Sequence, residues 1–460
     1  MKAFKKNSLI LLLLIFIVFA YFRFYNLDQR IIFDWDQEQF SYQIKNIVEK
    51  GDFTLLGPRA NNDRGFFLGP YFTYLLIPFY LFRNLHPKAL IDFIVVYNIA
   101  FYLISYFVLS KLFNRNLAFI FLTLWGINNG LAAYDVIPWW PIILPLGIVL
   151  TILVLKNIYE NPNRGNYIYL GLLLGFFTNI HFQFLFLILF SFIFLILRYC
   201  QNKVFKIKNF LYLASSFLLT FIPILIFDLR NNFLNTKLFF AFFLEDNPGL
   251  VNDKNIWTVV FTNFLKPFIY FERVDYMWLF LFIIAGLVIY LINKNKAFSK
   301  NFYISFLIIL ILTPVIFYFY GTRPSEYYFL YLVPFIFIAI ADFMLTINKK
   351  LLFVPLFVFF LSINNVALKK NLKPIPIGLY YKDKAVNTLK ANINMSKKFN
   401  VTIDAPLGFH NGYKYLLDWY KIPQSGNFKD PLVQIKLPPE GVDVRINDGI
   451  GLIIPKELRK

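Results

Sequence analysis

The chain has 460 residues, 58% of them hydrophobic and 21% aromatic, with a mean hydropathy of +0.57 and a formal net charge of +20. That apolar share exceeds what one soluble core absorbs and falls in long blocks, which excludes a soluble globular enzyme and indicates a polytopic membrane protein. The basic charge would point to nucleic acid in a soluble chain, but here it sits largely in short loops between apolar blocks; it reads as a topology signal, and no nucleic-acid partner is expected.

From the start, Lys2, Lys5 and Lys6 precede an apolar block over 8 to 25. No small-x-small cleavage site follows, since 19 to 21 read Phe-Ala-Tyr, so the block is expected to stay as a first span. Further blocks able to cross about 30 Å of hydrocarbon, or nearly so with aromatic ends, lie near 89 to 110, 117 to 133, 141 to 158, 167 to 180, 182 to 198, 209 to 228, 275 to 293, 302 to 320, 327 to 346 and 351 to 366. About eleven spans are predicted on this count. With a cytoplasmic N-terminus, the short inner loops carry Lys and Arg almost alone, opposed only by Glu160. The segment 69 to 82, bracketed by Pro70 and Pro78, is too short to cross and is expected to be an interfacial helix. Asn179, Ile180 and His181 must mark a tight outer turn between two shortish spans. The only cysteine, Cys200, stands at a span end and permits neither an internal disulfide nor a cysteine metal site.

On this threading the larger hydrophilic segments are all external: the loop 26 to 88, the stretch 228 to 274 and the tail. The predicted architecture is an all-α polytopic membrane domain over 1 to 366, followed by a small extracytoplasmic α/β domain over 367 to 460. In the tail, helical periodicity is expected over 383 to 395 and 413 to 420, and strands over 400 to 404, 432 to 437, 442 to 446 and 451 to 454.

The candidate chemistry is concentrated outside. Asp34, Asp36 and Glu38 alternate at the head of the first loop. On an extended segment all three would share a face; on a helix Asp34 and Glu38 would, and Asp36 would point elsewhere. The bland reading is an N-cap for a juxtamembrane helix reaching about Lys50, a role that consumes only one carboxylate. Arg59 and Arg64, in a Gly- and Pro-rich loop, are phosphate-binding candidates, with headgroup or intraloop pairing as the alternative. Asp135 could meet the first-loop acids. The neighbouring Trp139 and Trp140 read as an interfacial belt in preference to a substrate platform. His181 could hydrogen-bond a phosphate or sugar hydroxyl, or be a satisfied structural histidine. Asp228 with Arg230, and Arg323 with Glu326, read as ion pairs; Arg323 also stands on a Gly-Thr-Arg-Pro turn facing the same outer cavity. Motifs of zinc proteases, P-loop enzymes and α/β-hydrolases are absent.

A basic start and one span are followed by Trp-Asp-Gln-Glu, Leu-Leu-Gly-Pro, Gly-Pro-Tyr-Phe-Thr-Tyr-Leu-Leu-Ile-Pro and Gly-Phe-Phe-Thr-Asn-Ile-His-Phe-Gln. In this order the features, over about residues 1 to 350, resemble the GT-C superfamily of membrane glycosyltransferases, in the branch similar to protein O-mannosyltransferases and aminoarabinose transferases. The resemblance implies a polyprenyl-phosphate sugar donor on the outer leaflet and a lipid, glycan or protein acceptor. It implies a plasma-membrane location, Asp36 as the essential first-loop acid with Glu38 beside it, and inversion at the anomeric carbon. Asp34, Arg59, Arg64, Asp135, His181, Arg230 and Arg323 become the expected substrate contacts. As to cofactors, the reading leaves open none or a divalent metal ion. Readings from other classes are a transporter or flippase and a polymerase or ligase acting on polyprenyl-linked glycans. The first would predict acids inside spans and a repeated architecture, neither of which the sequence displays.

Overall fold

The computed structural model describes residues 2–60, 65–202, 206–244, 260, 263–264, 275–319, 324–346 and 371–460. In chain order its helices are α1 (Lys2–Phe24), α2 (Leu27–Arg30), α3 (Trp35–Lys50), α4 (Tyr71–Phe82), α5 (Ala89–Leu112) and α6 (Arg115–Ile127). Then come α7 (Asn129–Tyr134), α8 (Leu144–Glu160), α9 (Arg164–Ile180), α10 (Leu185–Asn202), α11 (Ile207–Leu219) and α12 (Ile222–Arg230). The last are α13 (Leu234–Leu244), α14 (Asp275–Lys294), α15 (Ala297–Phe319), α16 (Val333–Thr346), α17 (Leu379–Asn392) and α18 (Tyr413–Trp419).

Helix is what these apolar blocks must form, since hydrocarbon offers no partner for a free backbone N–H or C=O. Short loops supply the stops and starts. Asn114, Asn128 and Asn163 each cap the following helix through a side-chain oxygen, at 2.9, 2.8 and 3.0 Å from the N–H groups of Leu117, Leu131 and Asn166. Among the described residues five helical segments are long and apolar enough to cross a membrane: Ala89–Leu112, Trp140–Glu160, Phe182–Gln201, Ala297–Tyr318 and Glu326–Thr346. The bent pair α11 and α12, angled by 57°, makes a sixth if it is one span. The predicted eleven is not confirmed by this count: α1 and α14 are apolar over Ser8–Phe24 and Leu281–Lys294 within helices of 23 and 20 residues, Arg115–Ile127 is shorter, and 351 to 366 lies outside the described residues. The segment expected to lie at the interface is α4, whose 12 residues rise only about 18 Å.

The bundle packs α9 on α8 and α11, α5 on α6 and α8, α6 on α1 and α16, and α15 on α10 and α14. Contact between α9 and α11 is close because α9 presents glycines: a Cβ on Gly171 would lie 2.1 Å from Ser216 Oγ, and one on Gly175 2.3 Å from Thr220 Oγ1. Small residues at a helix crossing let backbones approach without a hydrophobic drive, as lipid-embedded helices require.

The tail folds into a four-stranded sheet of order β1 (Asn400–Asp404), β2 (Leu432–Lys436), β4 (Gly451–Ile453), β3 (Val444–Arg445). β1 and β2 are parallel with Ile403 opposite Ile435, and the crossover between them contains α18; β4 runs antiparallel to both its neighbours. Fully buried Val433 and Ile435 alternate with partly exposed residues along β2, the period expected of a strand with one covered face. The tail is bonded to the membrane domain at its first turn: Ile375 N–H donates to Gln29 O and Leu379 N–H to Ile31 O, both at 2.9 Å.

Candidate active site at the head of α3

The residues Phe-Asp-Trp-Asp-Gln-Glu fold as a helix start. Asp34 is the N-cap of α3, its carboxylate accepting the Trp35 N–H at 2.9 Å, and Gln37 closes a capping box by accepting the Asp34 N–H at 3.0 Å. Gln37 also donates to Pro138 O at 3.2 Å, fixing the helix start against the segment before α8. The three acids then diverge. Asp34 and Asp36 line a cavity of 940 Å³, whereas Glu38 is buried on the other side and accepts the Tyr415 N–H of the tail at 2.9 Å. Asp36 lies in the first turn of α3 with no cationic partner among the described residues. Burial, with the Asp34 carboxylate adding to it, pushes the Asp36 carboxyl up to about 6.

The cavity's second wall is the loop after α3. Its strands are tied by Gly57 N–H to Leu68 O at 2.8 Å and Leu68 N–H to Pro58 O at 2.9 Å, and its base by Gly69 N–H to Asn179 O at 2.8 Å. Arg59 lines the cavity from this loop, held by donation of Nε to Gly65 O at 2.6 Å and by the Phe67 ring, 5.4 Å from its guanidinium carbon. It is the one permanent cation among the described lining residues.

The third wall has a repeated construction. Three long helices are entered through 3₁₀ turns, at Trp140–Ile143, Phe182–Phe184 and Glu326–Leu332, and each entry places a ring pair in the cavity: Trp139 and Trp140, His181 and Phe182, Tyr327 and Tyr328. The rings touch, Trp139 to Tyr327 at 4.6 Å between centroids and His181 to Tyr328 at 5.9 Å. The two tryptophans read as an interfacial belt are thus part of the cavity lining. His181 sits in extended backbone between α9 and the second turn, and its Nδ1 accepts the Gln183 N–H at 3.2 Å. Burial holds the imidazole down to about 3, so it is neutral and carries its proton on Nε2, a hydrogen-bond donor.

The tail closes the outside of the turn that carries Asp36. Lys382 donates to Phe33 O at 2.8 Å and to Asn411 O at 2.7 Å, bridging the residue before the α3 cap to the loop before α18. Gly412, at φ +86°, fits against that carbonyl, where a Cβ would come within 2.5 Å of Phe33 O.

Of the residues expected from sequence, Asp34, Asp36, Arg59 and His181 line one cavity. Glu38 does not, for the helical reason that two residues along α3 is half a turn away from Asp36. Asp135 is also elsewhere: its carboxylate takes the Arg23 Nη2 at 2.9 Å and Nε at 3.1 Å, and the Trp125 indole N–H at 3.1 Å, in a fully packed ion pair. Arg230 ends α12, exposed and off the cavity lining, and Asp228 beside it caps α13 through Asn235 N–H at 2.7 Å. Arg64 and Arg323 lie outside the described residues. Sequence reasoning passed over Gln39, Gln43, Tyr327, Tyr328 and the anchoring Lys382; the spacing of Gln39 and Gln43, three and seven residues after Asp36, was the available signal for two of them. Among the described residues no group of three or more His, Cys, Asp or Glu could hold a metal ion.

A helical bundle with several membrane-length apolar helices, and a polar cavity built where its connecting segments converge, defines a multi-pass membrane protein with a site at one end of the bundle. No family model matches the sequence, and no curated protein matches it. Among solved structures the chain is similar to ArnT from Cupriavidus metallidurans in the apo state, with a TM-score of 0.56 and 10% identity over 95% of this chain and 94% of that one. It is similar also to the same protein bound to undecaprenyl phosphate, at 0.54 and 10% over 94% and 93%. The Archaeoglobus fulgidus oligosaccharyltransferase in complex with Zn and sulfate aligns at 0.48 and 14% over 92% of this chain and 58% of its own. The chain shares the fold of ArnT, and the likeness extends over 95% of its length.

Proposed function

We propose that the protein is a membrane glycosyltransferase that moves a sugar, a hexose or pentose, from a polyprenyl-phosphate donor to a hydroxyl of a lipid, glycan or protein acceptor on the outer face of the plasma membrane. The observation that carries this reading is Asp36: a carboxyl without a cationic partner among the described residues, held in the first turn of a capped helix inside a large polar cavity of a GT-C fold. Crystals of the similar ArnT contain undecaprenyl phosphate, which supports a polyprenyl-phosphate ligand.

The chemistry follows from the groups. The Asp36 carboxylate takes the proton of the acceptor hydroxyl as its oxygen attacks the anomeric carbon; the bond from that carbon to the lipid phosphate oxygen breaks, and the electron pair leaves on the phosphate. A carboxyl near 6 is mostly ionised at neutral pH yet more basic than an ordinary aspartate, which suits a general base. Arg59 receives the phosphate charge, and the Nε2–H of His181 offers a neutral donor to it or to a sugar oxygen. One displacement of this kind inverts the anomeric configuration. The N-terminus is assigned to the cytoplasm and the tail to the outside, because the basic loops and the cavity-forming segments alternate along the chain.

The test is transfer of radiolabelled sugar from polyprenyl-phosphate donors in membranes holding the wild-type chain or Asp36→Asn at matched expression. Donor-dependent transfer that the substitution lowers by about 10²- to 10⁴-fold is expected for loss of a general base. Equal transfer by both would remove Asp36 from the reaction, and no transfer from any donor with acceptor lysate present would overturn the reading.

A further inference from the structure

The face of α3 that carries Asp36 continues as a polar stripe. Gln39 and Gln43 follow at i+3 and i+7, and both line the cavity with Asp36. A helix that only had to pack would place apolar residues here, as Ile44 and Ile47 do on its buried side, at 0% and 6% exposure. Gln43 is also oriented: its Oε1 accepts the hydroxyl proton of Thr73 at 2.8 Å, and Thr73 is fully buried in α4. With the oxygen so engaged, the amide presents its NH₂ as the free group.

Position along the cavity follows from what each end touches. At the Asp36 end, Gln37 is tied to Pro138, beside Trp139. The Gln43 end abuts α4, whose start continues from the loop that carries Arg59. The anomeric carbon must stand between the phosphate on Arg59 and the acceptor hydroxyl at Asp36, and the seven residues of helix from Asp36 to Gln43 rise about 10.5 Å, so the two amides run beside the ring attached to that carbon. Neutral amides match hydroxyls; they offer nothing to a sugar carboxylate or ammonium that a hydroxyl would not receive as well.

Resting on the glycosyltransferase reading, we infer that Gln39 and Gln43 form the subsite for the donor's sugar, which they recognise through its hydroxyls, with Gln43, positioned by Thr73, as the residue that selects it. A site built to hydrogen-bond a hydroxyl rejects ligands lacking it, because its own polar group is then left unpaired.

The experiment measures binding of two probes to purified protein in detergent: undecaprenyl phosphate, and undecaprenyl phosphate bearing a neutral hexose, with the corresponding 4-amino sugar as a third. The wild type is expected to bind a hexose-bearing lipid more tightly than the bare phosphate. Gln43→Ala should weaken that lipid by about 10- to 100-fold, and Thr73→Val by less, while both leave undecaprenyl phosphate unchanged. The undecaprenyl phosphate arm is the fold control, since it checks in each variant that the cavity is intact. Equal loss of both probes in Gln43→Ala, or no loss of either, would overturn the subsite. Preference for the amino sugar would overturn its neutrality. A wild type that binds none of the three would fail the glycosyltransferase reading itself, which separates the two failures.

Discussion

Two acids from the same set of predicted site residues are buried in opposite ways. Asp135 is 5% exposed and shares its carboxylate between Arg23 and Trp125, with Arg23 itself fully buried, sandwiched on the Phe19 ring and also donating to Gly126 O at 2.6 Å and Trp125 O at 2.8 Å. Asp36 has no cationic partner among the described residues; beside it stand a second carboxylate, on the N-cap of its own helix, and the Tyr327 phenol. Pairing turns a buried acid into a bracket that ties α1 to the segment after α7; withholding the partner leaves a carboxyl whose proton affinity is available for chemistry. Burial alone therefore does not mark a catalytic acid. On the proposed function, what singles out Asp36 is burial at a cavity with no cation paired to its carboxylate among the described residues.

The comparison breaks most sharply by exchanging the losses. Asp36→Asn should abolish transfer by about 10²- to 10⁴-fold while leaving the fold intact, because it removes a proton acceptor and no structural bond. Asp135→Ala should do the reverse, destabilising by about 3 to 5 kcal/mol, read as a fall in thermal midpoint in detergent, since it strands Arg23 without its partner. The double change Arg23→Met with Asp135→Leu should recover most of that loss. Asp36→Asn carries a further sign: a carboxyl raised in the folded state stabilises it fully below its unfolded value near 3.8, and that stability is lost as pH rises through about 6. At neutral pH its ionisation costs on the order of 3 kcal/mol, so the asparagine variant should be more stable than wild type at pH 8 and not at pH 4. Activity falling in step with melting in either variant would collapse the distinction.

A smaller effect is expected at the contacts that hold the Asp36 turn from behind. Lys382 on Phe33 O, and Glu38 under Tyr415 N–H, attach the tail to α3 on both sides of that residue. Lys382→Met and Glu38→Ala each leave buried polar groups unpaired, about 1 to 3 kcal/mol apiece. If these residues position the turn and do not touch substrate, kcat should fall with KM unchanged, and Lys382→Arg should restore part of it. A rise in KM alone would mean instead that the tail contacts a substrate.

Legibility in the sequence followed the range of the interaction. The juxtamembrane helix ending near Lys50, the strand over 400 to 404 and the break at His181 are written in local signals: an Asp-x-x-Gln cap with Gly51 in the left-handed region at φ +67°, alternation, and a helix-ending Asn-Ile-His. Asp34 as a cap was readable for the same reason. The Arg23 to Asp135 bond joins residues 112 apart, and the Lys382 to Phe33 bond residues 349 apart, so neither leaves a local trace. Trp139 and Trp140 show the other limit: an aromatic pair at a span end has the same spelling whether it faces headgroups or a cavity, and only the 3₁₀ entry decides. The span expected over 117 to 133 is broken at Asn128, which ends α6 and caps α7, an interruption that an apolar block does not announce.

The finest test of the comparison concerns what raises Asp36. Burial is the larger cause and the Asp34 charge the smaller, so Asp34→Asn should lower the carboxyl from about 6 by less than about one unit, while the amide oxygen keeps capping α3. The acid limb of kcat/KM, which reports the base in the free enzyme, should then move to lower pH. At pH 7 the ionised fraction changes little, so the rate there should be nearly that of wild type, trimmed slightly because a weaker base accepts the proton less readily. At pH 5 the carboxylate fraction rises several-fold, and the variant should exceed wild type by about two- to fivefold. A limb that stays in place would mean that the titrating group is not Asp36, whereas a limb that moves to higher pH would show that Asp34 does not act on it as a repelling charge.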